Sequence, residues 1–231
     1  MNNQQTHKLE SNSKIYYEQS NMYNIFSQAE DYKGLVVDFL KPLILDKKLL
    51  DVGCGTGKYV SVLAPLVSEY ICLDQSKTQL EIAKNKTNKD KISYIQASAE
   101  KNGLNSNSVD VAIATWVLGS ILDIDQQLAV LKETERVLKE NGSIYVAEND
   151  GGCEFEEIIR REPNISTTKQ TKDWLEEKGF VKVSSIDTYF EFNSLKDAQD
   201  VFYNIWGSEI SKRVQSEKIA HKIAIYEKKV I

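Results

Sequence analysis

A chain of 231 residues, 41% hydrophobic and 27% charged, has the length of one large domain or two small ones and an ordinary soluble globular composition. Its formal net charge of −5 argues against a nucleic-acid backbone as the main partner, because such binders present clustered positive surface. No apolar run approaches the ~20 residues that a membrane-spanning helix needs, so no membrane span is expected.

Residues 1–13 are rich in Asn, Gln and Ser and read as a disordered segment without the apolar core of an export signal. Residues 14–45 follow a helical pattern, with Leu35, Val36, Phe39, Leu40 and Leu43 at helix-like spacing. The period then changes. Residues 48–52 form a short apolar run that predicts a buried strand, followed by Gly53, Gly55 and Gly57 and a helix ending near Pro65.

Strands are predicted next at 70–73, 92–97, 109–118 and 143–147. Between them lie a helix opened by the capping box Ser76 to Gln79 and a helix over 125–140 stopped by Asn141-Gly142. Strands alternating with helices imply right-handed βαβ units and a mostly parallel sheet covered on both faces.

The last third reads differently, as a helix ending at Gly179, an alternating strand over 181–192, a helix over 194–214 and a strand over 222–227. The helix carries a stripe of Leu195, Ala198, Phe202, Ile205 and Trp206 behind a Ser194/Asp197 capping pair. With no repeat and no linker-like stretch, 1–231 is expected to be one domain, comprising a disordered 1–13, N-terminal helices over 14–45, a cofactor-binding core over 46–150 and a C-terminal part over 151–231. Cys54, Cys72 and Cys153 stand at no metal or disulfide spacing, and His7 and His221 offer little for a zinc site. A reduced, cytoplasmic protein is expected.

The chemistry concentrates in Leu49-Leu-Asp-Val-Gly-Cys-Gly-Thr-Gly-Lys-Tyr59. A buried strand, a glycine turn and a helix N-terminus let the backbone approach a ligand and favour a negative group there. In an open parallel sheet, ligands bind at the carboxyl ends of the strands. A dinucleotide fingerprint needs glycine at position 58, which is Lys58, and a phosphate loop needs G-K-[ST], whereas Tyr59 follows Lys58.

Asp51 at the strand end would repel a phosphate but suits the ammonium of an amino-acid tail. That combination points to the methionine portion of S-adenosylmethionine. Asp74, ending the second strand, suits the two ribose hydroxyls. The glycines alone would also serve as a plain tight turn, and Asp74 alone as a helix cap.

Asp51 to Gly57 resembles D-x-G-x-G-x-G, the first motif of class I S-adenosylmethionine-dependent methyltransferases, and Asp74 matches their second-strand acid. Ser98-Ala99-Glu100, followed by Ser108-Val-Asp-Val111, is similar to the family's passage from third to fourth strand. That passage commonly reads D-A-E, and Ser98 stands where the aspartate would be. The resemblance covers about residues 23–150.

It implies a Rossmann-like α/β three-layer sandwich with a seven-stranded, mostly parallel sheet in the order 3-2-1-4-5-7-6, the last strand antiparallel. The helical insertion over 194–214 and the N-terminal helices would then form a lid. It also implies S-adenosylmethionine as cofactor, S-adenosylhomocysteine as product, and a cofactor site drawn from Asp51, Gly53, Cys54, Gly55, Gly57, Asp74, Gln75, Ser98, Ala99, Glu100, Thr115 and Trp116.

Several residues carry open readings. Trp116 serves core or crevice equally, and Tyr16, Tyr17, Tyr23 and Phe26 suit core or lid packing. Glu148, Asn149 and Asp150 stand where metal-dependent catechol-type relatives carry ligands, but residues 115–118 supply no carboxylate, so no metal is expected. These three are expected to orient the acceptor or cap the loop. No general base stands out; the candidates are Glu148, Asp150, a tyrosine or water, with His221 structural or solvated.

The expected reaction is direct displacement of the methyl group by a small-molecule acceptor. Methylation of tRNA or protein, or a non-catalytic cofactor-binding regulator, remain the alternatives.

Overall fold

Side chains of Lys48–Val52 (β1) alternate between two cores. Leu49 packs with Tyr70 and Cys72 on one face of the sheet, and Leu50 and Val52 pack with Ile71, Leu73 and Ala112 on the other. A strand buried on both faces needs cover on both, and that requirement sets the three-layer architecture. The computed structural model describes residues 20–87, 90–160 and 167–230. The segment 1–13, His7, Tyr16 and Tyr17 lie outside the described residues.

Beyond β1 the strands are Glu69–Asp74 (β2), Ile92–Gln96 (β3), Val109–Thr115 (β4), Leu138–Asn149 (β5), Val181–Glu191 (β6) and Lys218–Lys229 (β7). They form one seven-stranded sheet in the order β3-β2-β1-β4-β5-β7-β6. Pairs up to β4–β5 are parallel, and β7 runs antiparallel to both β5 and β6. This is the expected order.

Leu35–Ile44 (α2), Val60–Leu63 (α3) and Lys77–Lys86 (α4) contribute to the core on the Leu49 face. Ile124–Val137 (α5) and Thr167–Glu177 (α7) cover the other. A third core joins Ser20–Ala29 (α1), Glu154–Ile159 (α6), Leu195–Trp206 (α8) and Ser208–Ser211 (α9) to β6 and β7. Aromatic rings fill it: Phe190 lies 5.0 Å from Phe26 and 4.7 Å from Phe155, and Phe202 lies 4.9 Å from Trp206, centroid to centroid. Such pairs add about 0.5–1.5 kcal/mol each beyond the area they bury.

Element boundaries differ from the sequence reading at five places, each with a local cause. The N-terminal helical stretch breaks where Asp31 and Gly34 take left-handed φ of 50° and 69°. The Asp31 carboxylate then accepts the Leu35 and Val36 amides, both at 3.0 Å, and starts α2. β4 ends at Thr115, three residues early, because Trp116 turns left-handed at φ 54°.

α5 stops at Val137, since Leu138 already pairs with Val109. Asn141, at φ 63°, therefore belongs to a bulge in β5, where the register jumps from Val109↔Leu138 to Val111↔Ser143. The helix over 194–214 is broken by Gly207 at φ 91°. β7 is twelve residues long, because it is hydrogen-bonded on both sides.

Candidate active site

The chain leaves β1 through Gly53, Gly55 and Gly57, at φ of 65°, 55° and 73°. These left-handed values suit glycine and strain other residues. A Cβ on Gly53 would lie 2.7 Å from Val117 Cγ2, and one on Gly55 would lie 2.9 Å from Gln79 Oε1 and 3.5 Å from Tyr23 Cε1. One on Gly57 would lie 2.8 Å from Ala83 Cβ, so this glycine fits the turn against α4. Asp74, at the end of β2, locks the turn by accepting the Gly55 amide at 3.0 Å and the Ser76 amide at 2.7 Å. Each of its oxygens keeps further lone-pair capacity for a hydroxyl donor.

A cavity of about 270 Å³ opens above the turn, and Gly53, Gly55, Asp74 and Trp116 are among its lining residues. Asp51, Cys54 and Gly57 are not. Asp51 is buried on the sheet face, where its Oδ2 accepts the Tyr70 hydroxyl at 2.7 Å. Burial raises its carboxyl to about 7, opposed by the Tyr70 hydrogen bond and aided by nearby Asp74.

Thr115, Gln75, Ser98, Ala99 and Glu100 also lie outside the lining. The Ser98 hydroxyl is bonded to Glu100, which in turn accepts from Gln126. Beneath the turn, Asp51 Oδ1, Thr56 Oγ1 and Tyr59 Oη are buried without a partner. Buried polar atoms are normally satisfied. A glycine cradle beside the Asp74 carboxylate, whose oxygens keep spare lone pairs, fits the polar end of an amino-acid nucleoside. Gly53, Gly55 and Asp74 are the residues that would hold it.

The far end of the cavity is assembled from distant segments. Tyr23 and Phe26 come from α1, Phe155 from α6 and Trp206 from α8. Among them stand two buried carboxyls, Glu30 and Glu148. Glu30 pairs with the largely buried Lys58 at 3.2 Å, and the Lys58 ammonium sits 4.5 Å from the Trp116 ring centroid. Glu148 Oε1 accepts the Gly119 amide at 2.8 Å.

Trp116 is fixed in its left-handed conformation by two bonds. Its amide donates to Ala147 O at 2.8 Å and its indole N–H to Asn149 Oδ1 at 3.1 Å. Such a backbone costs about 1–3 kcal/mol and persists where the surroundings over-determine it. Asn149 Oδ1 also lies 2.9 Å from His221 Nε2. An oxygen acceptor there assigns the proton to Nε2. Burial pushes His221 down to about 3, so the ring is neutral and acts as a support for Asn149. Asp150, the other expected acid, turns away to Lys182 and Ser185.

Glu30, Lys58 and His221 escaped the sequence reading as site-building residues. Lys58 signals only what the turn is not, and Glu30 lies 28 residues away from it. A charged residue directly after a glycine turn, at a helix N-terminus where a cation is disfavoured, is the one signal that points to a buried acidic partner.

Burial raises Glu30 to about 7 against the pull of Lys58, and raises Glu148 to about 8 against its backbone hydrogen bonds. The unfolded chain ionises both in the ordinary carboxylate range. Their contribution to stability is therefore full below about pH 4 and is lost as pH rises through about 7 to 8. Glu148→Gln removes one such group. Its melting temperature relative to wild type should rise as pH increases from about 6 to about 9; paired thermal melts across that range check it, and a constant offset would contradict the burial of a titrating Glu148.

A mostly parallel sheet with this strand order, a glycine turn after β1 and an acid ending β2 define a Rossmann-like fold of the methyltransferase type. Residues 50–146 match the methyltransferase domain model. Over these residues the chain carries a methyltransferase domain, and it is similar to class I S-adenosylmethionine-dependent methyltransferases, whose cofactor is S-adenosylmethionine.

It is 30% identical over 162 residues to a ubiquinone biosynthesis O-methyltransferase of Pelagibacter ubique, covering 64% of this chain and 66% of that protein. It is 31% identical over 150 residues to a demethylmenaquinone methyltransferase of Staphylococcus saprophyticus, covering 63% and 62%. The chain thus spans 66% or less of the length of these curated relatives. A solved S-adenosylmethionine-dependent methyltransferase from Aquifex aeolicus shares the fold, with a TM-score of 0.59 at 15% identity, covering 92% of this chain and 98% of that one.

Proposed function

We propose that the protein transfers a methyl group from S-adenosylmethionine to a small-molecule acceptor bound at the carboxyl ends of β4 and β5. The observation that carries this reading is that two unlike ends share one cavity. One end is the glycine cradle with Asp74, and the other is an aromatic chamber with Glu148 and Asn149. A volume of about 270 Å³ is near the lower end of the range for small-molecule sites. The names of the two curated relatives, both acting in quinone metabolism, support a small acceptor.

When bound, S-adenosylmethionine supplies an electrophilic methyl group on a positively charged sulfur that leaves as a neutral thioether. The protein therefore needs no acid for the leaving group. Gly53, Gly55 and Asp74 hold the cofactor, Trp116 and Asn149 shape the boundary between the two ends, and the aromatic rings exclude water. In such a site, orientation alone removes up to about 7–11 kcal/mol of barrier. Glu148 is the candidate to accept a proton from the acceptor. The free thiols Cys54, Cys72 and Cys153 suit a reducing, cytoplasmic compartment, and no helix among the described residues is long and apolar enough to cross a membrane.

A thermal-shift titration tests the reading. S-adenosylmethionine and S-adenosylhomocysteine at about 100 times their dissociation constants add ~2.7 kcal/mol, which should raise the melting temperature by about 5 °C or more. NAD should leave it unchanged. A shift with NAD alone would overturn the cofactor assignment.

A further inference from the structure

The acceptor end of the cavity has an unusual charge balance. Glu30 and Glu148 both line it, and among its described lining residues there is no lysine, arginine or histidine. Glu30 already has Lys58. Glu148 is 6% exposed, is held by the Gly119 amide and has no ion pair among the described residues. A buried carboxylate without a countercharge is costly, and the cost is relieved when a cation arrives. Around it stand Tyr23, Phe26, Trp116, Phe155 and Trp206, whose ring faces attract cations.

Resting on the methyltransferase reading above, we propose that the acceptor is an amine that enters this aromatic, acidic chamber as an ammonium ion and is methylated on nitrogen. Glu148 takes the proton from the ammonium. The freed nitrogen lone pair forms the new N–CH3 bond, the C–S bond breaks, and its electron pair stays on sulfur, giving S-adenosylhomocysteine. Where the product nitrogen is still protonated, that cation faces the two carboxyls.

Electrostatics separates this acceptor from the hydroxyl class. A phenol must react as a phenolate, which brings no cation to meet the Glu148 carboxylate on entry and places its negative charge beside Glu30. An amine enters as a cation attracted by the Glu148 carboxylate, reacts as a neutral group once Glu148 has taken its proton, and becomes positive again beside Glu30. A carboxylate- or phosphate-bearing acceptor is repelled outright. The relatives named for quinone metabolism would then share the fold and the cofactor but not the acceptor chemistry.

The test is calorimetric titration of the full chain, saturated with S-adenosylhomocysteine at about pH 8.5 (above the value of about 8 for Glu148). Three probes of similar shape are compared: 2-phenylethylammonium, 2-phenylethanol and 3-phenylpropanoate. The ammonium should bind at least about tenfold more tightly than the alcohol, and the carboxylate least. Glu148→Gln, which retains an acceptor for the Gly119 amide, should bring ammonium and alcohol within about threefold.

Equal binding of ammonium and alcohol by the wild-type protein, tighter binding of the carboxylate, or no binding of the ammonium overturns the proposal without reference to any variant. A protein that takes up no S-adenosylhomocysteine overturns the methyltransferase reading instead. The same three probes titrated into the unloaded protein then decide on the cationic chamber by the same ranking.

Discussion

Replacing Glu148 with glutamine should lower kcat/KM for the acceptor by about 10²- to 10⁴-fold, the usual contribution of a positioned general base. The dissociation constant for S-adenosylhomocysteine should stay within about threefold of wild type, since Glu148 stands at the acceptor end and no predicted cofactor contact is lost. Glutamine is close in shape and still accepts the Gly119 amide, so the change removes basicity and leaves the packing.

The pH dependence gives a second readout. A base is active only when deprotonated, and burial raises Glu148 to about 8. Wild-type kcat/KM should therefore rise with pH and level off above about 8, with Glu30 contributing to the apparent value as a coupled neighbour. In Glu148→Gln this limb should vanish. A variant that retains both rate and pH profile would reduce the site to positioning alone.

Asp74→Ala should weaken S-adenosylhomocysteine binding by about 10- to 150-fold, corresponding to about 1.5–3 kcal/mol for hydrogen bonds to a charged group. Two losses combine here. The carboxylate would no longer accept the ribose hydroxyls, and the Gly55 and Ser76 amides would lose the acceptor that holds the turn. The effect should appear in affinity and much less in kcat once the cofactor is saturating. Unchanged affinity, measured by calorimetry, would separate Asp74 from the cofactor site.

The glycine turn and the acid beside it, the end proposed for the cofactor, were readable because their parts are contiguous. Asp51 to Gly57 sit at one strand-to-helix turn, and Asp74 ends the next strand. Local backbone need writes directly into glycine spacing there, although the three glycines divide their work, with Gly57 serving α4 and not the cavity. Asp51 shows the limit of that reading. It has the residue type expected for an ammonium, yet strand alternation turns it onto the sheet face toward Tyr70.

The acceptor end was hardly readable. It is built from α1, α6, α8 and the ends of β4 and β5, and no local pattern marks which aromatic faces inward. Trp116 illustrates this: its left-handed turn is imposed by Ala147 and Asn149 on the neighbouring strand. Glu30 and Lys58 acquire meaning only as a buried pair. His221 sits within a strand that looked half as long, and its role depends on Asn149 across the sheet.

The most direct test of the central claim is a crystal structure of the protein with S-adenosylhomocysteine. The ribose hydroxyls should be found on the Asp74 carboxylate and the amino-acid end against Gly53 and Gly55, with the sulfur facing the chamber that holds Glu148 and Trp116. A nucleoside bound elsewhere, or one whose sulfur points away from Glu148, would contradict the account.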